Sequence, residues 1–248
     1  MFKTESASVM VGDRALDATF ASPAGALPGV LLVHGWDSDQ SHYQLRAEDL
    51  AALRCVALTF DMQGHGSDEA RSDQVSREDN LQDVLAAYDR LCAHPQVDPQ
   101  AIAVIGTSYG GYLAAIACAL RPVRWLALRV PALYADAQWH TPKASLDRDE
   151  LARYRSQRQS PEANRALAAC AAFRGDVLVV GSENDQTVPA PAIRSYVQAF
   201  REAHSMTHRF IRGADHILSE ERARRTYDSH LNGWLSEMLV ESSAQLGG

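Results

Sequence analysis

The chain has 248 residues, 46% of them hydrophobic and 22% charged, with a formal net charge of −7. That length can bury a full core as one large α/β domain or as two small ones. The acidic balance argues against the basic face that nucleic-acid binding needs, and no stretch reaches the ~18 apolar residues of a membrane span. Residues 1–20 show neither a continuous apolar h-region nor a small-residue cleavage site, so no signal peptide is expected. Cys55, Cys92, Cys118 and Cys170 form no CxxC pair, and three of them fall in apolar-periodic segments as small core residues. A soluble, reduced, cytoplasmic protein is the expectation.

In chain order, residues 8–23 alternate like a hairpin. "VLLVHG" (30–35), "CVALTFD" (55–61), "AIAVIG" (101–106), "WLALRVP" (125–131) and "DVLVVGSEND" (176–185) follow as short continuous apolar runs. Continuous apolarity suits strands buried on both faces, as in a parallel sheet. "THRFIRGADH" (207–216) reads as one more strand, nearer an edge. Between these runs, "REDNLQDVLAAYDRLCAH", "YGGYLAAIACAL" and "PAPAIRSYVQAFREAH" carry apolar residues at helical spacing. The alternation predicts a doubly wound, mostly parallel sheet of about eight strands. Residues 131–174 interrupt it with no strand, too long for a plain loop, and predict a small helical insertion within one 1–248 domain. "ESSAQLGG" at the end reads as a frayed tail.

Three glycines (Gly106, Gly110, Gly111) surround Ser108 between a strand and a helix. An ordinary turn serine is the plainer reading. The alternative is a nucleophile elbow, in which the serine is held strained and residues two before and two after approach too closely for side chains. A serine hydroxyl needs a base, and the base an orienting acid. His216 follows the last strand, and Asp185 follows the strand before it, both at the edge where open α/β sheets place their sites. Glu183 competes with Asp185 for the acid. Asp185 is favoured because it sits deeper in the loop, braced by Val188 and Pro189. Asp215 is adjacent to His216 and would diverge from it.

The backbone N–H of Tyr109, after the serine, and that of Trp36, after "HG", are the expected oxyanion donors. Gly35 is expected to let the chain pass close to the serine. His34 reads as structural, since no HxH or HExxH spacing is present. "DMQGHGSD" is a glycine turn without the lysine of a phosphate loop. No metal or other cofactor is implied.

The order HGW, DxxGHG, GxSxG, DxxVP, GxDH resembles the α/β-hydrolase superfamily over essentially the whole chain. "HPQVDPQAIAVIGTSYGG" is similar to bacterial carboxylesterases, including the feruloyl type, and to serine aminopeptidase-like and dienelactone-hydrolase-like hydrolases. The resemblance implies Ser108 as nucleophile, Asp185 as acid and His216 as base, with Trp36 and Tyr109 forming the oxyanion hole. Dienelactone hydrolases proper use a cysteine where this chain has Ser108, which disfavours that activity. The leading expectation is therefore an esterase acting on a small-molecule ester, with 131–174 as a lid over Ser108 that sets substrate size. Trp36, Tyr134 and Trp139 are expected to wall the substrate pocket, with core packing as the alternative for each. An aminopeptidase would need an acidic pocket. The insertion carries Asp136, Asp147, Asp149 and Glu150, but Arg148, Arg153, Arg155 and Arg158 interleave with them. A non-catalytic binding protein on the same fold is the third reading.

Overall fold

The computed structural model describes residues 3–22 and 27–246. One eight-stranded sheet runs through the fold. β1 (Lys3–Val11) and β2 (Arg14–Ser22) form the expected antiparallel hairpin, and β2 pairs antiparallel with β4 (Val56–Phe60). Pro23, the last residue assigned to that hairpin from sequence, lies outside the described residues. β3 (Leu27–Val33), β5 (Val97–Thr107), β6 (Trp125–Arg129), β7 (Asp176–Ser182) and β8 (Ser205–Ile211) complete the sheet, with all remaining pairings parallel. The strand order is β1-β2-β4-β3-β5-β6-β7-β8, with β1 at one edge and β8 at the other, as the mixed polarity of β8 suggested.

Every residue of β4, β6 and β7 is buried, the pattern that helices on both sheet faces impose. Successive side chains along β3 divide accordingly. Leu31 and Val33 enter the core under α2 (Arg77–Cys92), α3 (Tyr109–Ala117), α5 (Arg165–Ala172) and α6 (Ala190–Ala199). Val30 and Leu32 enter the opposite core, with α1 (Gln44–Ala52) and α7 (Glu221–Leu246). α2 begins with a capping box in which Ser76 and Asp79 satisfy each other's backbone N–H groups.

Residues 131–174 contain no strand. They hold α4 (Arg148–Arg155), α5 and short 3-10 turns at Asp136–Gln138, Lys143–Ser145 and Pro161–Ala163. The end of the chain departs from the expected fraying: α7 stays helical through Leu246, and Gly247 and Gly248 lie outside the described residues. Extending an established helix adds a hydrogen bond for each residue fixed, and "ESSAQL" contains no helix breaker. All four cysteines are free thiols.

Candidate active site

Ser108 follows β5 and immediately precedes α3, with φ 52° and ψ −112°. Such a backbone is costly for a residue with a Cβ and persists only where its surroundings hold it. Three backbone bonds do so: Ser108 N–H donates to Arg129 O (2.9 Å), and Ser108 O accepts from Ala132 N (2.9 Å) and Tyr112 N (3.1 Å). The flanking glycines are sterically required. A Cβ at Gly106 would stand 2.5 Å from Gly110 O, and one at Gly110 would stand 2.3 Å from His34 O. Gly35 differs: its Cβ would meet Ser108 Cβ at 3.7 Å, an ordinary contact, so the chain passes close to the serine with room for a methyl group.

The turns after β7 and β8 bring two more groups to Ser108. His216 Nε2 lies 3.0 Å from Ser108 Oγ, and His216 Nδ1 lies 2.6 Å from Asp185 Oδ2. The Asp185 side chain is 2% exposed and that of His216 19%. Asp185 Oδ1 accepts the N–H groups of Thr187 (2.8 Å) and Val188 (2.7 Å), which fixes the carboxylate's orientation. Glu183 faces elsewhere, with Oε2 accepting Gly213 N–H at 2.7 Å. Asp215 Oδ1 takes Ser219 N–H at 2.9 Å. With Asp185 accepting at Nδ1, the imidazole carries its proton there and turns a basic Nε2 toward the serine.

Trp36 and Tyr109 pack on each other, their rings edge to face at 5.3 Å. Among the described residues, no protein acceptor takes the N–H of Trp36 or Tyr109. Tyr109 N–H also opens α3, where the helix dipole favours negative charge. His34 is structural, as expected. It is buried, its Nδ1–H donates to Gly35 O (2.7 Å), and its Nε2 accepts Met62 N–H (3.1 Å). Burial drives its pKa down to about 3, so it stays neutral. No cluster of His, Cys, Asp or Glu among the described residues is arranged to hold a metal ion.

Two expected pocket residues sit in the core instead. Tyr134 is 3% and Trp139 5% exposed. Tyr134 packs on Tyr109 and Tyr112, under the guanidiniums of Arg77 and Arg155. The Trp139 ring is covered by Arg165 and Arg77 and its indole N–H donates to Glu78, so its polar and apolar surfaces are both engaged. Trp36, by contrast, is only partly buried.

The match to the model of the alpha/beta hydrolase family extends over residues 30–229. The chain belongs to this family. Two uncharacterized Mycobacterium tuberculosis proteins, one from strain CDC 1551 / Oshkosh and one from strain ATCC 25618 / H37Rv, are each 31% identical to it over 183 residues. That stretch covers 72% of this chain and spans 59% of the relatives' length. Among solved structures, Est1E from Butyrivibrio proteoclasticus with ferulic acid bound superposes with a TM-score of 0.72 at 18% identity, covering 96% of this chain and 99% of that one. A dienelactone hydrolase from Anabaena variabilis gives 0.68 at 20% identity, covering 95% and 98%. The Pyrococcus horikoshii acylaminoacyl peptidase gives 0.70 at 14% identity, covering 94% of this chain and 41% of its own. At these identities the likeness is one of fold.

Sequence reasoning passed over several residues around the serine. Asn80 Oδ1 accepts the Tyr109 hydroxyl (2.9 Å), and Asn80 Nδ2 donates to Gln63 O (3.0 Å) and Asp83 Oδ2 (3.1 Å). Asp83 also accepts Gln63 N–H (2.8 Å) and Gln63 Nε2 (2.6 Å), tying α2 to the glycine turn beside His65. Burial raises the Asp83 carboxyl to about 6. Buried Arg129 donates to His216 O and so holds the histidine loop. The signal for Asn80 and Asp83 was present: two polar residues at i, i+3 spacing on the apolar side of α2, beside Leu81 and Val84.

Proposed function

We propose that this chain is a serine hydrolase that cleaves a small carboxylic ester through an acyl-enzyme intermediate. The observation that carries the reading is the continuous hydrogen-bonded line Ser108 Oγ–His216–Asp185 on a strained strand-to-helix turn. In this reading Ser108 Oγ attacks the carbonyl carbon as His216 Nε2 removes its proton, and Asp185 stabilises the imidazolium through Nδ1–H. The carbonyl oxygen gains charge between the N–H groups of Trp36 and Tyr109, where each such donor contributes about 3–4 kcal/mol of transition-state stabilisation. His216 then protonates the departing alcohol, and water repeats the sequence on the acyl-enzyme.

An ester fits better than a peptide with a free amino terminus. Recognition of an amine needs an uncommitted acid, and Asp136 pairs with Arg165 at 3.4 Å while Asp147 caps α4 through Glu150 N–H. The cations Lys143 and Arg155 flank the site. The segment 131–174 stands at the same sheet edge as Ser108, with Lys143 over Trp36 and Arg155 donating to Thr187 O at 3.2 Å, which supports its reading as a lid. A panel of p-nitrophenyl esters and aminoacyl anilides decides the class. Turnover confined to the esters supports this reading, and turnover confined to the anilides contradicts it.

A further inference from the structure

The insertion brings one amino group onto the rings of Trp36 and Tyr109, the two residues whose backbone N–H groups are the proposed oxyanion donors. Its backbone is tied down first: Lys143 N–H donates to Val75 O (3.1 Å), and Pro142 bridges to Ser76 at the start of α2. From this anchor the side chain places Nζ 3.7 Å from the centroid of the Trp36 ring and 5.6 Å from that of Tyr109. The indole face that sequence alone offered as an apolar wall is therefore covered by an ammonium group.

Among the described residues Lys143 has no carboxylate within 4.0 Å. The charged and titratable groups that act on it are Asp37, Arg148 and Arg155, with His65 edge to face against Trp36. Only Asp37 of these is negative. A partly buried cation that has two aromatic rings against it and no carboxylate in contact, with Asp37 opposed by two arginines, is under-compensated, because ring quadrupoles replace only part of the lost hydration. An anion brought in by the ligand would complete it.

We propose that Lys143 is a specificity residue, selecting esters that carry a carboxylate or similar anion within a few bonds of the scissile carbonyl. The proposal rests on the reading of Ser108 as nucleophile and names the substrate class of that same site. Lys143 acts on the substrate's charge, leaving Ser108, His216 and Asp185 to the bond-making steps. Burial lowers the ammonium to about 7 against the opposing pull of Asp37, so the preference has a definite pH sense. Below that pH the cation is present and anionic esters are favoured, and above it the advantage fades.

The test uses two matched pairs: monomethyl against dimethyl adipate for the acyl side, and para-acetoxybenzoate against its methyl ester, followed by acetate release, for the alcohol side. The readout is the ratio of kcat/KM for the anionic member over the neutral one, in which pH effects common to both members cancel. Lys143→Met keeps the stem on Trp36 and removes the charge, and Lys143→Arg keeps the charge. For at least one pair the ratio should fall about 10-fold in Lys143→Met, a loss of roughly one decade in discrimination. It should be largely retained in Lys143→Arg and decline in the wild type as pH rises through about 7. Ratios unmoved by Lys143→Met in both pairs, or an equal loss on both members, overturn the proposal. Calorimetry on Ser108→Ala reads the same preference without turnover. Tighter binding of the monoester that Lys143→Met erases supports it, and equal binding overturns it. Fluorophosphonate labelling of Ser108, measured separately, distinguishes a failure of the nucleophile reading from a failure of this one.

Discussion

Asp185 Oδ2 stands 2.6 Å from Nδ1 of His216, while the other oxygen of the same carboxylate is held by two backbone N–H groups. The acid is thus oriented by its own loop before it orients the histidine. Glu183, two residues earlier, spends its carboxylate on Gly213 N–H instead. Asp185→Asn should therefore lower kcat by roughly 10²–10⁴-fold by favouring the wrong imidazole tautomer. Glu183→Gln should cost far less. Both variants assayed on one ester give the comparison, and the reverse ranking would transfer the orienting role to Glu183.

Trp139 belongs to the core, so its truncation should act on stability first. Trp139→Ala removes a ring packed by Arg77, Arg165 and Tyr112 and leaves the Glu78 carboxylate without its indole donor. A loss of about 3–5 kcal/mol is expected from chemical denaturation. Acyl-chain preference among esters should change little at temperatures where the variant remains folded. A stable variant with a shifted chain-length profile would place the ring against substrate.

Much of the arrangement around Ser108 was legible because it is local. The glycines report a backbone that cannot accommodate side chains, and His216 and Asp185 each stand a few residues beyond an apolar run. The central strands were legible for the same reason, since burial on both faces leaves continuous apolar runs in β4, β6 and β7. Residues whose partners are remote in sequence were harder to read. Tyr134 and Trp139 advertise burial but not against what, and the arginines that cover them come from α2, α4 and α5. Lys143 carries no mark in the sequence, because only the folded insertion brings it over Trp36. The last turns of α7 looked like a tail because their polarity says nothing about the helix they extend.

Asp83 gives a pH signature of the buried α2 network. Its carboxyl in the folded chain titrates near 6, above its ordinary value of 3.8, because burial penalises the ionised form. A raised folded pKa contributes stability that is fully present below the unfolded value and is lost as pH rises through the folded one. Between about pH 4 and pH 7 the wild type should therefore lose roughly 2–3 kcal/mol relative to Asp83→Asn, whose side chain does not titrate. Urea unfolding of both proteins across that range checks the slope. Parallel curves would mean that Asp83 is ionised at ordinary cost.

The central claim is covalent chemistry at Ser108, and active-site labelling tests it most directly. Wild-type protein treated with a fluorophosphonate should gain one adduct, assigned by peptide mass spectrometry to the segment containing Ser108. Ser108→Ala, shown by circular dichroism to be folded, should gain none and should lose nearly all ester hydrolysis, retaining only the residual rate that bound substrate and oxyanion donors supply. Full labelling of the folded Ser108→Ala variant would contradict the claim.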